Sequence, residues 1–163
     1  MRRSSSIVVA TALAVVVILS VGCGRTPPQI VEVEGVLYLD DQPLPFAQIE
    51  FMPELKHFGA EYNSMAVTDA QGRFKLECAN GQPGAAVATH RVVVLEGPPP
   101  EGARGMDERS QNRLAEYMAN LPNRPIPEVF GNYSRTPARV EVKPEQKTYE
   151  IRLRRETTQK EPE

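Results

Sequence analysis

Seven short stretches of this chain alternate apolar and polar residues with a period of two, and that rhythm limits the fold more than any other feature. A period of two sends successive side chains to opposite faces of a β-strand. "AQIEFM" (Ala47–Met52) puts Ala47, Ile49 and Phe51 on one face and Gln48 and Glu50 on the other. "RFKLE" (Arg73–Glu77) turns Phe74 and Leu76 inward, and "SMAVT" (Ser64–Thr68) is read with Met65 and Val67 inward. "VEVEGVLYL" (Val31–Leu39) alternates until Gly35, read as a bulge or bend. "HRVVVLE" (His90–Glu96) is apolar on both faces at its centre, as a central strand is. "ARVEVK" (Ala138–Lys143) and "TYEIRL" (Thr148–Leu153) close the series. Seven strands at short spacing with little helix predict an all-β sandwich.

The connections carry turn chemistry. "DDQPLP" turns on Asp41, Pro43 and Pro45, and "NGQPG" (Asn80–Gly84) is a second turn signal. Within "AVTDAQGRFKLE" (Ala66–Glu77), Asp69 can accept from its own turn and Gly72 tolerates positive φ, so the stretch reads as a β-hairpin. Asp69, Gln71 and Gly72 could also be read as a ligand loop. A calcium site takes six to eight oxygens, however, and this stretch offers one carboxylate.

One segment breaks the rhythm. Residues 97–127 are proline-rich at both ends, "GPPPEG" and "LPNRPIP", with Leu114, Tyr117, Met118 and Leu121 at helical spacing between them. Asp107 and Glu108 suit a helix start and Pro122 a stop, so a short helix inside an insertion is expected. A partly disordered crossover is the competing reading. The polar end "RRETTQKEPE" is predicted to be a disordered tail over residues 155–163, with Arg152, Arg154 and Arg155 a solvated cluster.

The N-terminus reads as an address. Arg2 and Arg3 precede "IVVATALAVVVIL" (Ile7–Leu19) and the small residues of "SVGCG", which is the layout of a secretory signal peptide. The apolar run is short of the about 20 residues a membrane span needs. "LSVGC" is similar to a bacterial lipobox, with Ser20 where an aliphatic residue is commoner. Residues 1–22 are then a signal peptide, Cys23 the lipidated first residue, and residues 23–29, with "RTPPQ", a tether. Two or three acyl chains, palmitate among the possibilities, would anchor the chain stably to a membrane. Without residues 1–22 the chain carries 17 basic and 21 acidic residues, a formal net charge of -4. It has no basic stripe, so nucleic acid is not an expected partner. Cys78, the other cysteine, is read as a small buried hydrophobe; the alternative is a disulfide to Cys23.

Taken together, "VEGVLYLDDQPLPFAQIEFMPE", "AVTDAQGRFKLE" and "NGQPGAAVATHRVVV" resemble the carboxypeptidase regulatory-like domain. The family's T-D-x-x-G-x-F signature is matched by Thr68, Asp69, Gly72 and Phe74. An I-P-x-x-[YF] stretch, seen in lipoproteins built on this domain, is matched by Ile126, Pro127 and Phe130. The chain departs from the pattern at Gln42 and Phe46, where glycine is usual. The resemblance implies a seven-stranded Greek-key, transthyretin-like (prealbumin-like) sandwich over residues 30–154, with 97–127 as an insertion. It also implies that the signature residues are structural.

Chemistry is sparse. His57 falls in a predicted loop and His90 at a strand start, both expected at the surface. No H-x-x-x-H, G-x-S-x-G, P-loop or G-x-G-x-x-G occurs. The transthyretin fold also hosts 5-hydroxyisourate hydrolase, but the Tyr-Arg-Gly-Ser that enzyme requires is missing. No catalytic residue, metal site or cofactor is therefore expected. Two classes stay open. One is a non-enzymatic, exported envelope lipoprotein, anchored to a membrane and binding a surface protein or polysaccharide through loops such as Lys56, Phe58 and Tyr62. The other is a small-ligand or metal carrier using His57, His90 and acidic loops.

Overall fold

The computed structural model describes residues 26–155. The expected signal peptide, Cys23 and residues 156–163 of the tail lie outside the described residues. The described residues are mostly β: eleven short strands in three sheets, with one α-helix. In chain order the strands are β1 (Ile30–Val31), β2 (Glu34–Leu39), β3 (Gln42–Pro43), β4 (Ala47–Pro53), β5 (Ser64–Val67) and β6 (Arg73–Lys75). They continue as β7 (Glu77–Cys78), β8 (Ala85–Ala86), β9 (Thr89–Glu96), β10 (Arg139–Glu141) and β11 (Thr148–Leu153). The helix, α1, spans Glu108–Asn120.

One sheet runs β10-β9-β4-β5-β7 and is antiparallel throughout. A second is centred on β2, which pairs with β11 on one edge and with β3 and β6 on the other. The β2–β11 pairing is parallel, joining Glu34–Leu39 to Thr148–Leu153. β1 and β8 form a two-stranded pair at one end. The inner faces of the two larger sheets share a single core: Leu37, Leu39, Ile151 and Leu153 from one, Ile49, Phe51, Val92 and Val94 from the other. This is a sandwich-like arrangement, with each layer burying its apolar face against the other.

Several expectations are met residue by residue. Ala47, Ile49 and Phe51 are buried together, as are Phe74 and Leu76. β9 is central, between β10 and β4, and buries Val92, Val93 and Val94. Others need correction. The stretch 31–39 is divided between two sheets, and Gly35 lies inside β2 rather than at the break. A Cβ there would stand 1.9 Å from the Tyr149 carbonyl oxygen, so glycine is required by the close approach of β11.

The face of β5 is also reversed. Ser64 opposes Phe51 and Ala66 opposes Ile49, so these two point inward with their buried partners. Met65 and Val67 are 51% and 48% exposed. Nor is 66–77 a hairpin. β5 pairs with β4 and β7, whereas β6 pairs with β2. The turn between β5 and β6 is therefore a corner that carries the chain from one sheet to the other. Asp69 Oδ1 accepts from the Gln71 and Arg73 amides, both at 2.8 Å, and Gly72 takes φ +72°. Thr68 secures the corner from inside. Its buried Oγ1 donates to Leu44 O (2.8 Å) and accepts from Ala47 N (2.9 Å).

The insertion divides into two parts of different character. Asp107 caps α1 as expected, its carboxylate accepting from the Arg109 and Ser110 amides. No residue of α1 is fully buried; Leu114 and Tyr117 are half-buried. The return leg, by contrast, is tied to the sandwich. Asn123 Nδ2 donates to Leu39 O (2.9 Å) and Gln42 O (3.1 Å). Arg124 pairs with Glu96 at 2.6 Å and donates to Pro45 O at 2.8 Å, and Phe130 enters the core.

Arg155, expected to begin a disordered tail, belongs to the same knot. Its amide and guanidinium reach the Asp40 carboxylate, and the guanidinium also donates to Pro125 O and Asn123 O. Arg152 lies over the Tyr38 ring, 4.6 Å from its centroid, and pairs with Asp41 and Glu150; Arg154 pairs with Asp41. The basic cluster is solvent-exposed at Arg152 and Arg154, as expected, and is also ion-paired to Asp40, Asp41 and Glu150. Among the described residues no helix is long and apolar enough to cross a membrane.

Candidate functional site

The residues singled out for chemistry do not converge. His57 is exposed in the 54–59 loop, at φ +72°. His90, expected at the surface, is wholly buried, because it shares the inward parity of Val92 and Val94 on β9. Its Nε2 lies 2.7 Å from Ala86 O, and its ring is 5.6 Å from that of Phe51. Ala86 O can only accept, so Nε2 carries the proton, and Nδ1 is left with no hydrogen-bond partner among the described residues. Burial lowers the His90 pKa, against the smaller opposing pull of the Ala86 and Phe51 backbone. The ring is a neutral core group, not a ligand at the surface.

Cys78 is a buried thiol with no cysteine partner among the described residues, its Sγ 3.4 Å from Glu61 O. Asp69 is engaged by its own turn. Phe58 and Tyr62 pack edge to face, ring centroids 5.3 Å apart, so the loop's aromatic residues contact one another. Among the described residues no group of three or more His, Cys, Asp or Glu side chains is placed to hold a metal ion. A zinc site takes three or four protein ligands, so the metal form of the carrier alternative has no such donor set among the described residues.

A concave site lies elsewhere, between α1, the 3-10 turn Glu101–Ala103 and the corner that leads into β4. It is a groove of about 440 Å³. Phe46 forms one wall. The chain must turn sharply after Leu44, whose amide donates to Leu37 O, in order to enter β4. Phe46 makes that turn at φ +53°, where a bulky residue is uncommon. Its backbone is held on both sides, the amide donating to Thr68 O and the carbonyl accepting from Gly97 N, each at 3.1 Å. The ring is 39% exposed.

The other wall is α1. Arg113, Glu116, Tyr117 and Asn120 fall at i, i+3, i+4 and i+7, so they share one face. Leu121 and Ala103 are buried beneath them. Arg113 donates a long bond to Gly102 O (3.4 Å), and Asn120 Nδ2 donates to Glu116 O (2.8 Å). Neither Arg113 nor Glu116 has an opposite charge within 4.0 Å among the described residues, whereas Arg124 and Glu96 nearby are paired. Beyond the groove, Val67 and Leu95 flank Gln48 on the outer face of β4, with Leu95 40% exposed.

The groove offers apolar and aromatic surface with a guanidinium, a carboxylate and an amide on one side. Its lining holds no Ser, Cys or His to act as a nucleophile or imidazole base. This arrangement suits binding. Sequence reasoning did not find it. The stripe Leu114, Tyr117, Met118, Leu121 was visible, and so was an aromatic residue at a turn, but only folding places Phe46 opposite Tyr117. Compared with protein-family models, with curated proteins and with solved structures, the chain matches none.

Proposed function

We propose that the chain is an exported envelope lipoprotein, anchored through Cys23, whose domain is a non-catalytic binding or scaffolding module for a surface partner. We place the domain with the carboxypeptidase regulatory-like, transthyretin-like sandwiches, a seven-stranded Greek key in which β1 with β2, and β6 with β7, each count as one kinked strand and the two-residue β3 and β8 are not counted. The T-D-x-x-G-x-F residues support this reading, since Thr68, Asp69, Gly72 and Phe74 serve the inter-sheet corner and the core.

The observation that carries the binding reading is the groove. It joins an exposed aromatic ring on constrained backbone to Arg113 and Glu116, neither of which has an ion-pair partner among the described residues. A lipid anchor would hold such a module at a membrane surface, where high local concentration favours weak contacts.

The test is capture from detergent-solubilised envelope by the full chain, alongside mass spectrometry of its mature N-terminus. The expected result is a lipid-modified Cys23 and a partner whose recovery falls with Phe46→Gly but not with His57→Ala. An unmodified Cys23 would remove the anchor. Metal-dependent hydrolysis by the purified protein, lost on His57→Ala, would replace the module with an enzyme. His90→Ala is not a usable control, because it empties a core position.

A further inference from the structure

We propose that the groove between Phe46 and α1 docks an extended segment of a partner protein. One apolar side chain of that segment inserts between Phe46 and Tyr117, while Arg113 and Glu116 engage its backbone carbonyl and amide. The inference rests on the binding reading above and names the partner's chemistry.

Phe46 supplies the first argument. Its φ of +53° is one that glycine or asparagine adopts at less cost, and its ring remains partly in water instead of joining the core. Backbone strain together with an exposed aromatic ring points to a role outside the fold's own stability. The two backbone hydrogen bonds hold the ring's base in place, so a ligand does not have to order it.

The helix supplies the second. Thirteen residues of capped α-helix are held over the sheet corner without one being fully buried. The side that bears Leu114 and Tyr117 is only half covered, and Met118 beside it is exposed. An apolar side chain in the groove would complete that packing.

Charge selects the ligand's character. Arg113 and Glu116 lie one turn apart with opposite sign, and neither has an ion-pair partner among the described residues, Arg113 making one long bond to Gly102 O. An anion or a cation would gain from one and lose to the other. A peptide backbone is neutral and presents an acceptor and a donor, so it can satisfy both as the groove dries. The remaining lining, with Pro100, Leu121 and Pro122, is apolar, and the polar groups stand on one wall only. A sugar, with hydroxyls around its whole rim, would leave several unmet on the other wall. The volume of about 440 Å³ leaves room for a side chain of the ligand.

The experiment is selection of an end-capped random heptapeptide library on the immobilised full chain in detergent. Enriched synthetic peptides are then titrated by fluorescence polarisation. Enriched peptides should share an apolar or aromatic residue. They should lose about tenfold or more in affinity with Phe46→Gly and with Tyr117→Ala, and less with Arg113→Ala. Thermal unfolding of Phe46→Gly should stay cooperative, with its midpoint kept or raised. Should that variant fail to fold, Phe46→Asn, which also accepts positive φ, takes its place. Failure to enrich any peptide, or binding that Phe46→Gly leaves unchanged, overturns the proposal. Phe46-dependent binding of chitotriose or cellotriose in place of peptides also overturns it, while leaving the broader binding-module reading intact.

Discussion

Lowering the pH should cost this protein stability well before its carboxylates are neutralised, and His90 is the reason. The ring is fully buried, donates Nε2–H to Ala86 O, and keeps Nδ1 unpartnered among the described residues. Protonation would add a charge and a second N–H to a core whose buried polar side chains among the described residues are Ser64, Thr68, His90 and Thr136, none of them ionised. Burial therefore depresses the folded-state pKa below the ordinary imidazole value of about 6.5, near which the unfolded chain titrates.

The sign follows from proton binding. Below about pH 6.5 the unfolded state takes up a proton that the native state refuses. The stabilisation is present in full above that value and is lost as the pH falls toward the folded-state pKa. The loss grows as the pH falls below about 6.5, at a slope that cannot exceed about 1.4 kcal/mol per pH unit for one titrating group, and ends once the native ring titrates. Urea unfolding at pH 7.5, 6.5, 5.5 and 5.0 measures it. His90→Gln retains an N–H for Ala86 O but no titrating ring, so its stability should vary much less over that window. His57→Ala, altering a surface residue, should leave the wild-type slope in place. Parallel pH profiles for wild type and His90→Gln would refute the reasoning.

Three further outcomes are expected. Thr68→Val removes the hydroxyl bridging Leu44 O and Ala47 N while keeping the volume, and should cost about 2–3 kcal/mol by urea unfolding, because both backbone groups are left buried and unpaired. Cys78, in a variant with Cys23→Ser, should react slowly with a polar thiol reagent in the native state and rapidly in denaturant, since its sulfur is buried against Glu61 O. Replacing residues 106–120 by a short Gly/Ser linker should preserve a cooperative transition. Extending the deletion through Phe130 should lower the midpoint sharply, because it removes the Asn123 and Arg124 ties and a core aromatic residue.

Much of the fold is legible where alternation is one-sided. Ile49 with Phe51, Phe74 with Leu76, and Tyr149 with Ile151 and Leu153 each have polar neighbours that leave one choice of inner face. "SMAV" has apolar residues on both parities, so its side is decided by pairing with β4, which local pattern does not contain. The corner at 69–72 has the residues of a hairpin turn, and a hairpin and an inter-sheet corner place the same demands on Asp69 and Gly72. His90 could have been placed in the core from its parity with Val92 and Val94; its polarity argued the other way. The groove depends on a contact between residue 46 and residues 113–122, a separation no local rhythm encodes.

The parallel pairing of β2 with β11 has a consequence for how the chain comes to be folded. β11 follows β2 by more than a hundred residues and supplies Tyr149, Ile151 and Leu153 to the shared core. Until Thr148–Leu153 is available, β2 has an open edge and the sandwich is short of three of its buried side chains. Closing so long a loop costs entropy that only the finished contacts return, which places this topology among slow folders. A chain emerging N-terminus first thus stays unlocked until Thr148–Leu153 is present. Chains truncated before Thr148 should remain protease-sensitive throughout, and those extending past Arg155 should become resistant in one step.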